Sequence, residues 1–445
     1  MLPQLRKLER KYARELVVVG VHTPKFTTER ETEAVRQAIL RLNVGHPVVN
    51  DRDFSVWQQY AVRAWPTLMF IDPAGKVIGK HEGELPLAAF DELLAEMVEE
   101  FDAAGLLDRR ALDVAADAAP TNTPLLFPGK ILADERSGRL FVSDTGHHRI
   151  VIADLDGAVR QVIGSGVPGR TDGVATAASF SGPQGLALVD DTLYVADTEN
   201  HLVRALDLRS GEVSTVAGTG EQLMAERVGG VADRVALSSP WDLAVVDAVL
   251  YVAMAGTHQL WAMPLGRGTI APHTGDGREA LEDGPLAEAS MNQPSGLAGA
   301  DGRLYVADSE ASAIRVVDLA SGTLRTIVGE GLFEFGDLDG AGAAVRLQHP
   351  LGVARDGGVL YVADTYNHKV KRLDPATAEC RSLLGDGVAG HRDGEAKEAR
   401  FSEPGGLSVA RGRLYIADTN NHAVRVADLA TGRVVTLELL GLAAS

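Results

Sequence analysis

A segment of nine residues that recurs six times places the strongest constraint on how this chain folds. Residues 414–422 read Leu-Tyr-Ile-Ala-Asp-Thr-Asn-Asn-His, and residues 360–368 and 193–201 are close copies. Weaker copies begin at Leu140, Leu250 and Leu304, so that successive copies lie 53 to 57 residues apart. A unit of this kind cannot bury its faces alone and must pack against its neighbours. The repeat therefore predicts an array of similar units over most of the chain.

Each unit has the pattern of a small antiparallel sheet. In the last unit, four short apolar segments, 406–410, 414–418, 423–428 and 434–437, are separated by turn residues. Four strands per unit and six units predict a six-bladed β-propeller over residues 125–445. Both the first and the last unit have four strands of their own. We therefore expect the ring to close by side-chain packing, with the strand 434–437 in the last blade.

Two positions recur with strict spacing. An aspartate ends the apolar part of the repeated segment, and Met254 replaces it in the third unit. The aspartates are Asp144, Asp197, Asp308, Asp364 and Asp418. A proline stands fourteen residues before this position in the last five units, as Pro183, Pro240, Pro294, Pro350 and Pro404. These units resemble the NHL-repeat family through Pro-x-Gly-Leu, Leu-Tyr-Val-Ala-Asp-Thr and Asn-His-x-Val-Arg, and the resemblance implies a propeller.

The first hundred residues have a different, α/β pattern. We predict helices over 2–14, 28–42 and 86–101, and a short helix through 57–60. Strands are predicted over 15–21, 46–50, 65–72 and 76–83, and the apolar run 15–21 is typical of a strand buried on both faces. We place this domain at residues 1–104 and a linker at 105–124, where Ala, Asp, Pro and Thr predominate.

This order of elements resembles the thioredoxin fold, and Ala64-Trp65-Pro66-Thr67-Leu68 carries the resemblance. The resemblance implies a cis peptide bond between Trp65 and Pro66. It also implies a strand and a Cys-x-x-Cys motif ahead of the first helix, and both are missing from this sequence. Either the domain is redox-inactive, or the chain begins at an internal methionine of a longer protein. The two domains together resemble a two-domain family whose biochemical role is poorly defined.

Composition excludes several classes of function. The net charge of −18, from 61 acidic and 43 basic residues, repels nucleic acid and anionic lipid at long range. No apolar run has the ~18 residues that a membrane span needs. The N-terminus lacks a signal peptide's apolar stretch, so we expect a cytoplasmic protein. Cys380 is the single cysteine, and it is expected to be a half-buried, unreactive side chain.

The repeated turns are predicted to build one face of the propeller, and they are not predicted to form a metal or catalytic site themselves. The turns between second and third strands and the long glycine-rich crossings between blades share one face, which is the expected binding face. A histidine follows the aspartate position by four residues in five units: His148, His201, His258, His368 and His422. Equivalent turns in different blades lie too far apart to share one metal ion, so a turn-forming role is favoured. Neither a metal nor another cofactor is expected.

Positions at which the repeat is broken are the better candidates for binding. The third unit has Trp241-Asp242 where others have a residue followed by Gly, and it has Trp261 where others mostly carry Arg or Lys. Trp241 either lines a central pocket or belongs to the core. The predicted binding residues are Trp241, Asp242, Met254, His258 and Gln184.

We consider three functions. The first is a non-catalytic interaction scaffold, whose propeller binds a protein or peptide and whose thioredoxin-like domain is redox-inactive. The second is a thiol–disulfide oxidoreductase whose Cys-x-x-Cys lies upstream of Met1. The third is a metal-dependent lyase or lactonase, as in similar six-bladed propellers, but the sequence shows only symmetric ligands where such a site needs unlike ones. The chain as written is not expected to be an enzyme.

Overall fold

A computed structural model describes residues 1–83, 86–110, 122–224 and 228–443 of the chain. The chain forms two compact units, Met1–Ala119 and Pro120–Ser445. Part of the predicted linker 105–124, namely residues 111–121, lies outside the described residues.

The first unit contains four α-helices and four short strands in the described residues. The helices are α1 (Leu2–Lys11), α2 (Thr32–Arg41), α3 (Ser55–Gln59) and α4 (Leu87–Ala103), with a 3-10 turn at Thr28–Arg30. The strands are β1 (Gly20–His22), β2 (Val48–Asn50), β3 (Thr67–Ile71) and β4 (Val77–Glu82). Strand β1 pairs in parallel with β2, and β3 pairs antiparallel with β4. The Trp65–Pro66 peptide bond is cis, the geometry that the resemblance to thioredoxin-like proteins implies.

The prediction of a fully buried strand at 15–21 is wrong. Strand β1 begins only at Gly20, and Val17, Val19 and Val21 are each exposed. The pairs β1–β2 and β3–β4 form two separate two-stranded sheets instead of one continuous sheet. Val17 and Val19 lie before β1, outside the described strands, and Val21 is exposed together with its cross-strand partner Val49, so this face of the β1–β2 pair is not covered.

Residues 131–437 form six antiparallel sheets, which are the blades of a propeller. We letter the strands of each blade A to D from the inside outwards. Blade 1 has A Ile131–Asp134, B Arg139–Asp144, C Arg149–Asp154 and D Val159–Ile163. Blade 2 has Pro183–Val189, Thr192–Asp197, Leu202–Asp207 and Glu212–Ala217; blade 3 has Pro240–Val246, Val249–Met254, Gln259–Pro264 and Thr269–Thr274. Blade 4 has Pro294–Ala300, Arg303–Asp308, Ala313–Asp318 and Thr323–Val328. Blade 5 has Gly352–Asp356, Val359–Asp364, Lys369–Asp374 and Glu379–Leu384; blade 6 has Pro404–Ala410, Arg413–Asp418, Ala423–Asp428 and Arg433–Leu437.

Blades 2 to 6 also have a short fifth strand, which the repeat pattern did not predict. This strand comes from the crossing that enters the blade and pairs with the outer edge of strand D. The fifth strands are Gly173–Val174, Gly230–Val231, Gly284–Pro285, Gly340–Ala341 and Gly394–Glu395. They cover the edge of strand D, which limits pairing with other chains.

The ring closes between blades 6 and 1. The strand Arg433–Leu437 pairs within blade 6, as predicted. Side chains of blades 1 and 6 also pack in one cluster, as expected, and the residues that follow this strand add backbone hydrogen bonds along blade 1. The N–H of Val159 donates to the carbonyl of Leu440 (3.0 Å), and the N–H of Leu440 donates to the carbonyl of Gly157 (2.9 Å). A Cβ at Gly157 would lie 2.2 Å from the carbonyl oxygen of Glu438, so this passage needs glycine.

The core lies between successive blades. The large apolar residue that stands three positions before each repeat proline is fully buried there: Phe180, Leu237, Met291, Leu347 and Phe401. Antiparallel pairing brings the start of strand A level with the end of strand B, as in Pro183 opposite Asp197. The B–C turns and the crossings therefore share one face, the long-loop face. The A–B and C–D turns form the other, the short-turn face.

Candidate functional site

The repeated aspartate closes strand B and is completely buried in the five blades that carry it. In blade 2, Asp197 accepts hydrogen bonds from the N–H of Ser181 (2.7 Å), from Asn200 (2.8 Å) and from Arg204 (2.8 Å). Burial raises the pKa of Asp197 to about 6, opposed by these hydrogen bonds and by the charge of Arg204. The carboxylate is thus ionised at neutral pH and joins the B–C turn to the crossing and to strand C.

A second carboxylate extends this contact to the outer strand. Arg204 also donates to Asp172 (2.6 Å), and Asp172 accepts hydrogen bonds from the N–H (3.1 Å) and the hydroxyl (3.0 Å) of Thr215 in strand D. The equivalent groups are Arg315, Asp283 and Thr326 in blade 4, Lys371, Asp339 and Ser382 in blade 5, and Arg425, Asp393 and Thr436 in blade 6. In blades 2, 4, 5 and 6 this network fixes the crossing to its blade, so a structural role explains why these residues repeat.

The repeated histidines link neighbouring blades. In blade 2, the Nδ1 atom of His201 accepts a hydrogen bond from the N–H of Ser239, just before the first strand of blade 3 (3.0 Å). The other pairs are His148 with Gly182 (3.0 Å), His258 with Gln293 (3.3 Å), His368 with Glu403 (3.1 Å) and His422 with Phe127 (3.1 Å). In blade 4 the hydroxyl of Ser312 takes this role with His349 (3.2 Å). An imidazole that accepts at Nδ1 must be neutral there.

The asparagine of the repeated turn holds part of the crossing on the long-loop face. Asn200, Asn367 and Asn421 donate to the carbonyls of Gly169 (2.7 Å), Gly336 (2.6 Å) and Gly390 (2.8 Å), respectively. We call the three segments held in this way, 164–169, 329–336 and 385–390, the arches. Each arch exposes one large apolar side chain: Val167 is 65% exposed, Phe333 is 66% exposed and Val388 is 50% exposed.

Blade 3 replaces the whole polar network with apolar residues. Met254 stands in place of the buried aspartate and Trp261 in place of the arginine, and both are completely buried in one cluster. Gly229 replaces the second carboxylate, and Pro272 takes the place of Thr215. Because proline has no N–H, no backbone donor is left without its acceptor. The four changes together leave no buried charge and no backbone donor of this network without a partner in blade 3.

The predicted binding residues are not brought into one site. Met254 is buried between blades 2 and 3, and His258 holds the backbone of blade 4. Trp241 and Gln184 are half-buried at equivalent positions, at the inner ends of their blades on the long-loop side. Asp242 is buried at the axis itself, where its partner is a residue that the sequence reasoning missed.

That residue is Lys130, and the two side chains close the central channel. The Nζ atom of Lys130 lies 3.2 Å from Asp242 and donates to the carbonyls of Ser295 (2.7 Å) and Leu351. Asp242 also accepts from the N–H of Leu297 (2.9 Å). Burial lowers the pKa of Lys130 and raises the pKa of Asp242, while their mutual attraction opposes both shifts.

A regular signal in the sequence marks this constriction. The second residue after the repeat proline is glycine in four blades, Gly185, Gly296, Gly352 and Gly406, and it is Lys130 or Asp242 in the other two. A Cβ at Gly185 would lie 2.4 Å from the Cα of Asp242, and a Cβ at Gly406 would lie 2.7 Å from the Cα of Lys130. The inner strands approach so closely at this level that only one ion pair fits.

Beyond the ion pair, towards the short-turn face, the channel widens into a pocket of about 290 Å³, which we call the axial pocket. Its floor is Lys130 and Asp242, and its mouth is lined by Leu188, Val245, Gly299, Arg355 and Val409 near the ends of the inner strands. The described residues contain no cluster of three His, Cys, Asp or Glu side chains that would hold a metal ion. Among the helices described, none is long and apolar enough to cross a membrane.

Comparisons with known proteins agree with the architecture. The model of the NHL repeat matches residues 180–206, 347–373 and 401–427, in blades 2, 5 and 6. NHL repeat-containing protein 2 of Bos taurus is 41% identical over 98% of this chain, and that of Homo sapiens is 39% identical over 99%. Protein SUPPRESSOR OF QUENCHING 1, chloroplastic, of Arabidopsis thaliana is 41% identical over 99%.

The chain spans only part of each of these relatives: 65% of the bovine protein, 66% of the human protein and 44% of the Arabidopsis protein. Among solved structures, a chain of the nidogen/laminin complex aligns with a TM-score of 0.46 at 15% identity, over 67% of this chain and 94% of that one. The second unit is thus an NHL-repeat propeller of six blades, and the chain is homologous to NHL repeat-containing protein 2.

Proposed function

We propose that this chain is a non-catalytic interaction scaffold whose long-loop face binds a protein or peptide partner. The observation that carries the proposal is the exposure of Val167, Phe333 and Val388 on equivalent arches of that face. Long loops on one face of a rigid scaffold are the usual place for binding, and exposed apolar side chains on those loops are available to a partner. In the described part of the propeller, none of the A–B or C–D turns on the opposite face carries a large exposed apolar side chain.

The rigidity of the arches favours the same function. Each arch is fixed by an asparagine of the B–C turn, and the crossing behind it is fixed by the buried carboxylate and its basic partner, as in Asn200, Asp197 and Arg204. Loops that a scaffold holds in place lose little conformational entropy when a partner binds. The repeated turn therefore supports binding by presenting the apolar tips, without itself touching the partner.

Residues 1–104 are part of this proposal as a thioredoxin-like module that works without thiol chemistry in the sequence given. The parallel pair β1–β2, the β3–β4 hairpin and the helices around them support the assignment. Cys380 lies in blade 5 and is completely buried, not half-buried as predicted, and burial raises the pKa of its thiol to about 12. A thiolate at that position is unavailable for exchange. The location proposed for the scaffold is the cytoplasm.

The test is quantitative affinity capture with the full chain as bait in an extract of the source organism. One bait carries Val167→Ser, Phe333→Ser and Val388→Ser. The matched control carries Val174→Ser, Val231→Ser and Val435→Ser, which remove the same number of exposed apolar side chains from the outer edges of blades. We expect proteins retained by the wild type and the control to be lost from the arch variant. Equal retention by both variants would contradict the proposal.

A further inference from the structure

We propose that the axial pocket binds an alkylammonium group, such as a small aliphatic amine or the side chain of a lysine. This site lies on the short-turn side of the axis and is independent of partner binding on the long-loop face. Three features of the pocket suit such a ligand: the backbone groups of its wall, the ion pair at its floor and the charges around its mouth.

The wall of the pocket presents backbone carbonyls to its centre. Each strand A pairs with strand B on one side only, so alternate residues direct their N–H and C=O groups towards the axis. At the level of the ion pair, the N–H of Leu297 donates to Asp242 (2.9 Å). In blade 1 the position equivalent to Leu297 is Ile131. Two residues further along that strand, the N–H of Ala133 donates to the hydroxyl of Ser408 (2.9 Å). The residues at this second level include Leu188, Val245, Gly299 and Val409, whose carbonyls therefore face the pocket.

The floor shows how this channel recognises an ammonium group. Lys130 is held by two carbonyls of inner strands, from Ser295 and Leu351, and by the carboxylate of Asp242. Its three N–H donors have three acceptors, so the floor is complete and neutral. A second ammonium group above it meets carbonyls of the same kind at the next level. The aliphatic side chains of Leu188, Val245 and Val409 suit the methylene chain behind that group.

Carboxylates stand on the turns around the mouth of the pocket. Carboxylates stand at the A–B turns of five blades: Asp134, Glu135, Asp190, Asp191, Asp247, Asp301 and Asp356. Three of these carboxylates form ion pairs: Asp190 with Arg136 (3.8 Å), Asp191 with Arg209 (2.8 Å) and Asp301 with Arg355 (2.5 Å). Arg411 stands at the turn of the sixth blade. In the described part of the chain, Asp247 and Asp356 form no ion pair. A cleft with low-dielectric walls and one predominant sign of charge concentrates the field and attracts ligands of the opposite sign.

The proposal is tested on the full chain with butylamine, which is protonated at neutral pH and has the length of a lysine side chain. Butanol is the uncharged control of the same shape. Saturation-transfer NMR is expected to show saturable binding of butylammonium and no comparable signal for butanol. A parallel titration with Nα-acetyl-lysine amide distinguishes the source: a stronger response than that of butylamine favours a lysine of a partner protein, and a weaker one favours a free amine.

Two variants locate the binding. Val409→Trp fills the mouth and is expected to abolish the signal, whereas Val435→Trp on an outer strand leaves it unchanged. Asp247→Asn with Asp356→Asn is expected to weaken binding about fivefold by removing two nearby charges. The control for that pair is Glu212→Gln with Glu395→Gln at the outer edges of blades. Equal binding of butanol and butylammonium, binding that survives Val409→Trp, or no saturable signal at millimolar amine would overturn the proposal.

Discussion

Lys130 and Asp242 replace the repeated glycine in two blades and place a buried ion pair on the axis of the propeller. Taking an ammonium and a carboxylate out of water is costly, and their attraction offsets this cost only if their remaining hydrogen-bonding groups are satisfied. Here the inner strands, which have no neighbour on the axis side, supply those groups through Ser295, Leu351 and Leu297. The ion pair and the edges of the inner strands therefore supply each other's hydrogen-bond partners. We expect removal of either side chain to destabilise the fold, because it leaves the other one buried without its partner.

Substituting each member of the pair by glycine, the residue of the other four blades, tests this dependence. We expect Lys130→Gly and Asp242→Gly each to lower the free energy of unfolding by about 3–5 kcal/mol, because each leaves a buried charge without its partner. The double variant should cost clearly less than the sum of the two. Guanidinium denaturation measures all three.

Arg381→Gln is the control, because Arg381 pairs with Glu379 at an exposed site, where such a pair contributes about 0–1 kcal/mol. Additive losses for Lys130→Gly and Asp242→Gly would show that the two side chains act independently and would remove the basis for treating the floor as one unit.

Met254 and Trp261 show a second kind of break, in which several residues change together. We expect Met254→Asp to lower the free energy of unfolding by more than about 3 kcal/mol, because it places a carboxylate beside Trp261 with no cation to meet it. Adding Trp261→Arg should recover part of the loss. Met254→Leu, which conserves volume, should cost less than about 1.5 kcal/mol. Thermal and chemical denaturation provide the measurement, and a Met254→Asp variant as stable as Met254→Leu would contradict the account.

The B–C turn works as a connector between neighbouring elements. Its histidine stands in a left-handed conformation and accepts a hydrogen bond at Nδ1 from the backbone of the next blade, as His368 does from Glu403. Burial lowers the pKa of His368 and of His422 below the ordinary value of 6.5. Because the imidazole can accept this hydrogen bond only while Nδ1 is unprotonated, the stability of the ring depends on pH.

The sign of this dependence follows from the direction of the shift. The unfolded chain binds protons at these histidines below about pH 6.5, whereas the folded chain binds them only at lower pH. Their contribution is therefore complete above pH 6.5 and declines as the pH falls below it. We expect His368→Asn with His422→Asn, which keep an acceptor but do not titrate, to reduce the loss of unfolding free energy between pH 7.5 and 5.5.

His391→Asn is the control for this series, since His391 is exposed and lies outside the B–C turns. Denaturation curves at the two pH values provide the measurement. A pH dependence that is the same in the wild type and in the His368/His422 variant would mean that the connectors do not titrate as described.

At the level of the elements, the sequence predicts what repeats and misses what depends on neighbours. The four strands of blade 6 begin and end within two residues of the predicted segments, because alternation and turn residues are local signals. The fifth strands carry only two residues each, such as Gly173–Val174, and their pairing partner lies about forty residues away. The prediction of a buried strand at 15–21 was wrong for a related reason. The apolar run is typical of a buried strand, but whether both of its faces are covered depends on the elements that pack against it.

The candidate site was only partly predictable from the sequence. Asp242 was singled out because it interrupts a repeated glycine, and the same rule identifies Lys130 once the first, looser unit is aligned on Pro128. That the two meet across the axis requires the closed ring. The arches were predicted as long loops on the binding face, but the exposure of Phe333 and Val167 depends on how each crossing is folded back on its blade.

For the whole molecule, the propeller separates structure from recognition. The Asp, Arg, Asn and His positions of the repeat are buried or hydrogen-bonded and hold the blades together, while the two faces differ in the large apolar side chains that they expose. The A–B turns of the short-turn face carry carboxylates near the axial pocket, such as Asp247 and Asp356, and the long-loop face carries the apolar arches. Ring closure by the segment that follows Leu437 keeps both faces rigid, because blades 6 and 1 are joined by backbone hydrogen bonds.

The most direct test of the account is hydrogen exchange of the full chain, measured by mass spectrometry with and without the partner recovered by affinity capture. The account predicts that binding slows exchange in the arches, 164–169, 329–336 and 385–390, and leaves the A–B and C–D turns unchanged. Protection confined to the turns of the short-turn face, with none in the arches, would contradict the assignment of the long-loop face as the surface that binds the partner.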